Sequence, residues 1–347
     1  MNNIFAQLPD ALLPWYEKNK RDLPWRTDND PYHVWVSEIM LQQTRVEAVT
    51  GYYARFLTAL PRVESLACAD DALLYKLWEG LGYYNRVRNM KKAAIQIMER
   101  FNGIFPREYE DVLSLPGIGE YTAGAICSIA FGMPMPAVDG NVLRVISRLT
   151  NDNTPIDRPD YKKSVQKNLA SVYPTQAGAF TQALMELGAT ICGPNKKPTC
   201  EFCPCAAFCR AAKNKTAELL PVKLPKRSRR NEEKTVFIFS CDGDYALEKR
   251  SDKGLLAGLW QFPNVGGKLS LEDSLKTVQS MGLSVIDILR QVDRNHIFTH
   301  IEWDMRGCYF EVRDKAPQYH WLSKAQINEE TALPTAFRQF WEEIDNV

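Results

Sequence analysis

Hydrophobic residues recur with helical spacing through the first part of the chain. Within residues 121–132, apolar side chains fall at positions i, i+3, i+4 and i+7, and residues 142–149 repeat the pattern. Proline and glycine fall mostly between such stretches, where they end helices. The pattern predicts an all-α region over residues 1–220.

The spacing changes in the last third of the chain. Residues 221–234 combine proline with clustered charge and have no usable period, so we expect a linker there. Beyond it, residues 235–240 and 245–250 are strand-like runs that flank Cys-Asp-Gly-Asp, which predicts a hairpin. The further predicted elements are a helix at 270–281, a strand at 301–312 and a closing helix at 335–344. The sequence thus predicts an α+β domain over residues 235–347.

Composition agrees with a multidomain globular protein. The chain has 347 residues, of which 45% are hydrophobic and 24% charged. Its net charge of +1 hides an asymmetry, because residues 235–347 carry 12 basic and 17 acidic side chains, whereas the first part has a net charge of +6. A polyanionic partner is therefore possible for the first part only, although ordinary scatter of surface charge explains the asymmetry equally well.

Two further observations concern the compartment. The longest weakly polar run, residues 121–138, contains Pro134 and Pro136 and is too short to span a membrane. The N-terminal Met1-Asn2-Asn3 lacks the basic residues of a signal peptide. We therefore expect an intracellular, cytoplasmic protein without a membrane partner.

Five of the nine cysteines lie close together. Their spacing is Cys192-x7-Cys200-x2-Cys203-x5-Cys209, with Cys205 as an additional thiol. Four thiolates so close in sequence can surround one iron–sulfur cluster or one zinc ion, and the spacing alone does not decide between them. Buried apolar cysteines are a poorer explanation, because proline and lysine interrupt the run.

Two carboxyl groups are candidates for acid–base chemistry. Glu38 has the apolar neighbours Trp35, Ile39 and Leu41, which should leave it poorly solvated, raise its pKa and suit it to deliver a proton. Asp139 immediately precedes a helical pattern, where it could cap the helix and stay ionised. One raised and one ionised carboxyl group is the pairing that glycosidic bond cleavage requires. A solvated Glu38 and a plain capping Asp139 remain open on the sequence alone.

A helix–hairpin–helix motif is predicted next to these groups. The segment Leu-Pro-Gly-Ile-Gly-Glu-Tyr-Thr-Ala-Gly, residues 115–124, follows an amphipathic stretch and opens the helix at Tyr121. Gly117 and Gly119 would permit a tight turn whose backbone N–H groups face a phosphate of DNA.

Taken together, the hairpin, the Val-Asp-Gly-Asn segment at 138–141 and the cysteine quartet resemble the helix–hairpin–helix DNA glycosylase superfamily. Three further segments are similar to its adenine DNA glycosylase (MutY) branch. They are Asp-Leu-Pro-Trp-Arg at 22–26, Val-Ser-Glu-Ile-Met-Leu-Gln-Gln-Thr at 36–44 and Trp-Glu-Gly-Leu-Gly-Tyr-Tyr at 78–84.

The resemblance implies a fold and a cofactor. We expect a six-helix barrel over about 30–140 and a module of residues 1–29 and 141–220 that holds a [4Fe–4S] cluster. The implied ligands are Cys192, Cys200, Cys203 and Cys209. The first cysteine gap is seven residues, where the family usually has six, so the influence of Cys205 stays open.

The resemblance also implies roles for individual residues. Glu38 would protonate adenine at N7, and Asp139, oriented by Asn141, would stabilise an oxocarbenium-like sugar with support from Tyr121. Gln43 and Tyr83 would wedge into the base stack. The adenine pocket would be lined by Trp25, Arg26, Leu41 and Gln182.

The position of Tyr121 separates two branches of the superfamily. The endonuclease III branch has a lysine nucleophile two residues beyond the second hairpin glycine, where this chain has Tyr121. A tyrosine cannot form the Schiff base that a lysine forms. We therefore expect a monofunctional glycosylase.

The C-terminal domain resembles the Nudix fold, and the segment Gly-Leu-Leu-Ala-Gly-Leu-Trp-Gln-Phe-Pro at 254–263 is typical of the adenine glycosylase version. The Arg-Glu and Glu-Glu pairs of the Nudix motif, whose glutamates hold Mg²⁺ in the hydrolases, are replaced by Leu275-Lys276 and Gln279-Ser280, so we expect recognition without hydrolysis. The family's Phe-Ser-His loop, which reads 8-oxoguanine, is Phe298-Thr299-His300 in this chain.

The resemblance therefore implies a base-excision-repair enzyme that removes adenine opposite 8-oxoguanine or guanine in double-stranded DNA, and we expect a monomer. Particular residues argue against three alternatives. Tyr121 and the second domain disfavour an endonuclease III-like enzyme for oxidised pyrimidines, and Glu38 within an apolar helix disfavours a non-catalytic iron–sulfur DNA sensor. The missing glutamates argue against a nucleotide pyrophosphohydrolase.

Overall fold

The structure is a computed structural model that describes residues 4–194, 197–225 and 228–344. The chain forms two compact units. The first consists of Met1–Cys68 and Arg88–Pro225, and the second of Ala69–Val87 and Lys226–Val347. The predicted division into a helical part and an α+β part is confirmed, but the segment Ala69–Val87, expected within the helical domain, belongs to the second unit.

Helices make up the N-terminal part of the chain. α5 lies in the second unit, and α6 begins there and continues into the first unit. The helices are α1 (Leu8–Asn19), α2 (Pro31–Leu41), α3 (Val46–Ala59), α4 (Val63–Cys68), α5 (Asp71–Trp78), α6 (Asn85–Phe101), α7 (Tyr109–Leu113), α8 (Glu120–Phe131), α9 (Gly140–Thr150), α10 (Pro159–Ala170), α11 (Ala177–Thr190) and α12 (Arg210–Asn214).

Local chemistry explains several helix ends. Asp30 begins α2 by accepting a 2.8 Å hydrogen bond from the Tyr32 backbone N–H. α8 ends at Gly132, whose φ of 66° is the left-handed conformation that closes a helix.

Apolar side chains of α1, α9, α10 and α11 meet in one buried core of the first unit. None of the helices in the described ranges is long and apolar enough to cross a membrane.

A seven-stranded sheet forms the centre of the second unit, with the order β3-β2-β1-β6-β5; β4 pairs with β1, and β7 pairs with β2. β1 and β6 are parallel, and β5 and β6 are antiparallel. The strands are β1 (Arg230–Cys241), β2 (Asp244–Lys249), β3 (Trp260–Gln261), β4 (Asn264–Gly266), β5 (Val285–Ile297), β6 (Ile301–Val312) and β7 (His320–Ser323); the helices of this region are α13 (Leu271–Ser280), α14 (Lys324–Glu329) and α15 (Thr335–Trp341).

Both faces of the central strands are buried. Along β1, Ile238 contributes to the core that contains Phe337 and Phe340 of α15, whereas Phe237 contributes to the core that contains Val278 of α13. Alternate residues of a strand point to opposite faces, so the two helices cover opposite faces of the sheet. Gly307 in β6 is required for packing, because a Cβ atom there would lie 2.5 Å from the Phe340 ring.

The structure confirms most predicted elements of this domain and corrects others. The hairpin between β1 and β2 turns at Asp242 and Gly243, which both have positive φ. The expected linker 221–234 is too long, because β1 begins at Arg230. Residues 226 and 227 of that linker lie outside the described residues. β5 was not predicted, since its exposed positions hide the alternation of a buried strand.

Candidate active site

Glu38 is buried on helix α2 of the first unit. Because α2 is apolar around most of its surface, Glu38 is only 5% exposed. Its Oε2 atom accepts a 2.7 Å hydrogen bond from the hydroxyl of Tyr121 on α8. The burial expected from its apolar neighbours is confirmed.

The environment shifts the acidity of Glu38. Burial raises its pKa to about 7, and the negative charge of Asp139 adds to this effect. The hydrogen bond from Tyr121 and the positive charge of Arg26 act in the opposite direction. Glu38 therefore exchanges its proton near neutral pH.

Asp139 caps helix α9, as the sequence predicts. Its Oδ1 accepts a 2.8 Å hydrogen bond from the Val142 backbone N–H, and its Oδ2 accepts a 2.6 Å bond from Asn141 Nδ2. The side chain of Asn141 is itself held by Arg144, whose Nη2 donates to Asn141 Oδ1 at 2.9 Å. The carboxylate is thus fixed on both of its oxygens.

Two opposing influences act on the pKa of Asp139. The cap was expected to favour the ionised form, and the hydrogen bonds from Val142 and Asn141 do act in that direction. Burial outweighs them and raises the pKa of Asp139 above its ordinary value. Both carboxyl groups of the site are therefore weaker acids than in water.

One open cleft of about 620 Å³ in the first unit joins most of the predicted site residues. Glu38, Tyr121, Asp139 and Asn141 all face it. The other predicted residues in its lining are Trp25, Arg26, Leu41, Gln43, Gly119 and Gln182. The predicted residues outside the lining are the four cysteine ligands and Gly117, Tyr83, Phe298, Thr299 and His300.

Gly117 has a structural reason to be glycine. Its φ is +80°, and a Cβ atom there would lie 2.7 Å from Cβ of Asn89. Another residue would be strained and crowded at this point of the hairpin.

Gln43 and Tyr83 share a rare backbone conformation. Their φ angles are 61° and 48°, in the left-handed region that few residues other than glycine adopt. Such strain is concentrated at functional sites. No local pattern of residues indicates this backbone conformation.

In the second unit, Tyr83 meets the predicted Phe298-Thr299-His300 loop. Its hydroxyl lies 3.1 Å from Oγ1 of Thr299. The Phe298 ring packs at 4.8 Å against Trp303, while Thr299 and His300 are exposed. The loop therefore exposes two polar side chains, Thr299 and His300, next to a phenylalanine ring that packs against Trp303.

Sequence reasoning missed a buried carboxylate in the cleft. Glu186 on α11 is fully buried and accepts a 2.6 Å hydrogen bond from Arg21 Nε and a 2.7 Å bond from Arg26 Nη2. Although burial acts to raise it, these arginines hold the pKa of Glu186 below its ordinary value. The signal was available, because Glu186 lies within an apolar helix as Glu38 does.

The four predicted cysteine ligands converge. Cys192, Cys200, Cys203 and Cys209 line one small apolar cavity, and Arg148 Nη1 donates to Cys192 Sγ at 3.2 Å. Cys205 is buried in the adjoining core and is not part of this lining. Among residues 4–194, 197–225 and 228–344, no group of three or more His, Cys, Asp or Glu side chains could hold a metal ion. An iron–sulfur cluster needs a wider arrangement of ligands than a single metal ion does, because each thiolate binds a different iron and the cysteine sulfurs lie further apart. The donor set fits such a cluster.

Comparison with known proteins defines the class. Residues 36–173 match the HhH-GPD superfamily of base excision DNA repair proteins, and residues 235–343 match the NUDIX domain. A solved structure of a thermostable thymine-DNA glycosylase is similar, with a TM-score of 0.56 and 28% identity over 61% of this chain and 98% of that one. An endonuclease III–DNA complex shares the fold, with a TM-score of 0.52 and 23% identity over 61% of this chain and 98% of its own. The protein is therefore a base-excision-repair glycosylase with a Nudix-like second domain.

The particular family follows from its curated relatives. The mouse adenine DNA glycosylase is 34% identical over 99% of this chain and 77% of its own length. The enzyme of Buchnera aphidicola from Acyrthosiphon pisum is 34% identical over 86% of this chain and 83% of its own. The Arabidopsis thaliana enzyme is 38% identical over 74% of this chain, which spans 47% of that longer protein. The chain belongs to the adenine DNA glycosylase family.

Proposed function

We propose that the protein flips adenine out of duplex DNA, where it is mispaired with 8-oxoguanine or guanine, and hydrolyses its glycosidic bond. The observation that carries the proposal is the buried Glu38, with a pKa of about 7, in one cleft with the capped Asp139. The names of its relatives support adenine as the base. Flipping is required because the reacting atoms are inaccessible inside the duplex.

Glu38 is the proposed general acid. A group with a pKa near the working pH has a large protonated fraction and still donates readily. Glu38 would protonate adenine at N7, so that the base leaves as a neutral molecule. Tyr121 keeps the Glu38 carboxyl group oriented through its 2.7 Å hydrogen bond.

Asp139 is the proposed partner for the sugar. In its ionised form it would stabilise the oxocarbenium-like intermediate, either electrostatically or as a nucleophile, until water completes the reaction. The donors from Asn141 and the Val142 backbone favour the ionised form and fix its orientation. Tyr121, at the place where a lysine nucleophile would stand, supports the intermediate and makes the enzyme monofunctional.

The remaining lining residues suit recognition of a base. Trp25 and Leu41 supply apolar contact in the cleft, and Arg26 and Gln182 supply polar contact. Gln43 and Tyr83, with their strained backbones, would fill the gap that the flipped base leaves. Gly117 and Gly119 would let backbone N–H groups approach a phosphate of DNA.

Phe298, Thr299 and His300 are the proposed readers of the opposite base. Two exposed polar side chains on a packed aromatic ring suit hydrogen bonding to a base edge. Thr299 has the hydroxyl group of the family's serine and carries an additional methyl group. The overall charge of residues 235–347 is negative, so their contribution would lie in specific contacts and not in phosphate attraction.

Cys192, Cys200, Cys203 and Cys209 would hold a [4Fe–4S] cluster. When bound, the cluster supplies a covalent cross-link of the loop that carries these residues. Arg148 would complete the site by donating to Cys192 Sγ. The chemistry at Glu38 and Asp139 does not involve the cluster.

Base release from defined duplexes tests the proposal. We expect release of adenine opposite 8-oxoguanine, slower release opposite guanine, and little release opposite thymine. A duplex with an oxidised pyrimidine serves as the test of the endonuclease III alternative. Release of the pyrimidine without release of adenine would overturn the proposal.

A further inference from the structure

One carboxylate makes several of the bonds between the segment Ala69–Val87 and the rest of the second unit. Glu79, which ends helix α5, is only 14% exposed. Its Oε1 accepts hydrogen bonds from the Leu333 backbone N–H at 2.9 Å and from Arg338 Nε at 3.1 Å, with a further bond from Arg338 Nη2. Its Oε2 accepts a 2.8 Å bond from Lys76. Glu79 thus joins three stretches of chain.

The loop after Glu79 is stiff. The indole N–H of Trp78 donates to the Gly82 carbonyl at 3.1 Å, and Arg86 Nη2 donates to the Leu81 carbonyl at 2.9 Å. Gly82 and Tyr83 both have positive φ, which makes the turn tight. We therefore expect a displacement at Glu79 to reach Tyr83.

At the far end of this loop, Tyr83 reaches the proposed reader of the opposite base. Its hydroxyl and the Thr299 hydroxyl are 3.1 Å apart, close enough for either to donate. The segment is consequently bonded to the C-terminal domain through Glu79, through Tyr83 and through Lys76, which donates to the Thr331 carbonyl at 3.2 Å. Of these three residues, Tyr83 is the one that touches a residue proposed to contact DNA.

We propose that Glu79 is a positioning residue for discrimination between 8-oxoguanine and guanine, through the ion pair with Arg338 that sets the place of Tyr83 beside Thr299. The proposal rests on the proposed function, because it takes adenine release as its readout. It adds a specificity determinant that lies outside the cleft and outside the Phe298-Thr299-His300 loop.

The test is Glu79→Gln in the full-length protein, with single-turnover adenine release measured opposite 8-oxoguanine and opposite guanine. We expect the ratio of the two rates to fall by about threefold or more, which is the usual size of such couplings. Glu343→Gln is the matched control. Glu343 is 16% exposed and also binds arginines, Arg290 and Arg294, but it does not contact the segment. Its ratio should equal that of the parent.

A second variant keeps the test valid if Glu79→Gln does not fold. Arg338→Gln removes the same ion pair from the other side and should lower the ratio similarly. The proposal is overturned if both variants keep the parent's ratio, if Glu343→Gln loses as much, or if neither variant folds, since Glu79 would then serve stability alone. Failure of the proposed function has a different signature, because the parent itself would then release no adenine.

Discussion

The hydroxyl of Tyr121 donates a 2.7 Å hydrogen bond to Oε2 of Glu38 inside the cleft of the first unit. The bond favours the ionised carboxylate, whereas burial favours the neutral acid. Burial is the larger effect and raises the pKa of Glu38 to about 7. Tyr121 therefore partly lowers a pKa that burial raises.

Removing this hydrogen bond should move the pH profile of the reaction. In Tyr121→Phe the pKa of Glu38 loses a lowering influence and rises, so adenine release should persist to higher pH than in the parent. The measurement is single-turnover release across pH 5 to 9. Tyr32→Phe is the control, because Tyr32 is a buried tyrosine of α2 that donates to the Leu60 carbonyl. An alkaline limb at the parent's position in Tyr121→Phe would refute the assignment.

Glu38→Gln should bind mispaired DNA and fail to release adenine. The amide keeps the shape of the side chain but cannot supply the proton, and loss of a general acid costs at least ~10²-fold in rate. Single-turnover release and DNA affinity are measured together. Glu47→Gln, an exposed substitution on α3, should resemble the parent. A rate within about threefold of the parent would remove Glu38 from the acid role.

The same substitution should change stability in a pH-dependent way. The pKa of Glu38 is about 7 in the folded protein against 4.5 unfolded, so the folded protein binds the proton more tightly. Its contribution to stability is complete below pH 4.5 and is lost as pH rises through about 7, by about 3 kcal/mol in total. Glu38→Gln escapes this loss and should gain stability relative to the parent between pH 5 and pH 8. Urea unfolding of the variant and the parent at pH 5 and pH 8 measures this gain. The same difference in unfolding free energy at both pH values would contradict the prediction.

Glu186 should matter for stability and for the cleft. Glu186→Gln leaves Arg21 and Arg26 without their buried counter-charge, which should cost about 3 kcal/mol of unfolding free energy. Glu17→Gln provides the comparison, because the Glu17–Lys20 pair is exposed and should contribute less than about 1 kcal/mol. Urea unfolding of both variants measures the difference. Equal stabilities would mean that solvent already screens the Glu186 pairs.

The cysteine assignment separates two neighbouring thiols. Cys203→Ser should lose iron and visible absorbance, because Cys203 faces the cavity of the proposed cluster. Cys205→Ser should keep both, since Cys205 lies in the adjoining core. Iron analysis of the purified variants tests this. Loss of iron from Cys205→Ser alone would reverse the assignment, and zinc in place of iron in the parent would exclude the cluster.

The sequence predicts elements well wherever a local pattern determines them. The α9 helix follows from its apolar spacing and its Asp139 cap, and the β1–β2 hairpin follows from the Asp242-Gly243 turn. β6 is found at its predicted position, Ile301–Val312. These features need only neighbours within a few positions of the chain.

Features that depend on distant partners could not be predicted. The pKa of Asp139 depends on burial by the fold, which raises it above its ordinary value although the helix cap acts in the opposite direction. The Glu186 pairs join residues about 160 positions apart. The segment Ala69–Val87 belongs to the second unit, and no local pattern connects its Glu79 to the bonding partners Leu333 and Arg338.

Because Ala69–Val87 belongs to the second unit, that unit can be completed only when the end of the chain has been synthesised. Glu79 is translated 259 positions before Arg338, and Lys76 is translated 255 positions before Thr331. At ordinary ribosomal speeds this is a delay of roughly 10 to 50 seconds. Helices α8 to α12 of the first unit are all made before residue 215, so they can pack while the second unit still lacks its last strands and helices. A ribosome that stalls before Arg338 therefore leaves the helices of the first unit complete while Glu79 still lacks its Arg338 partner.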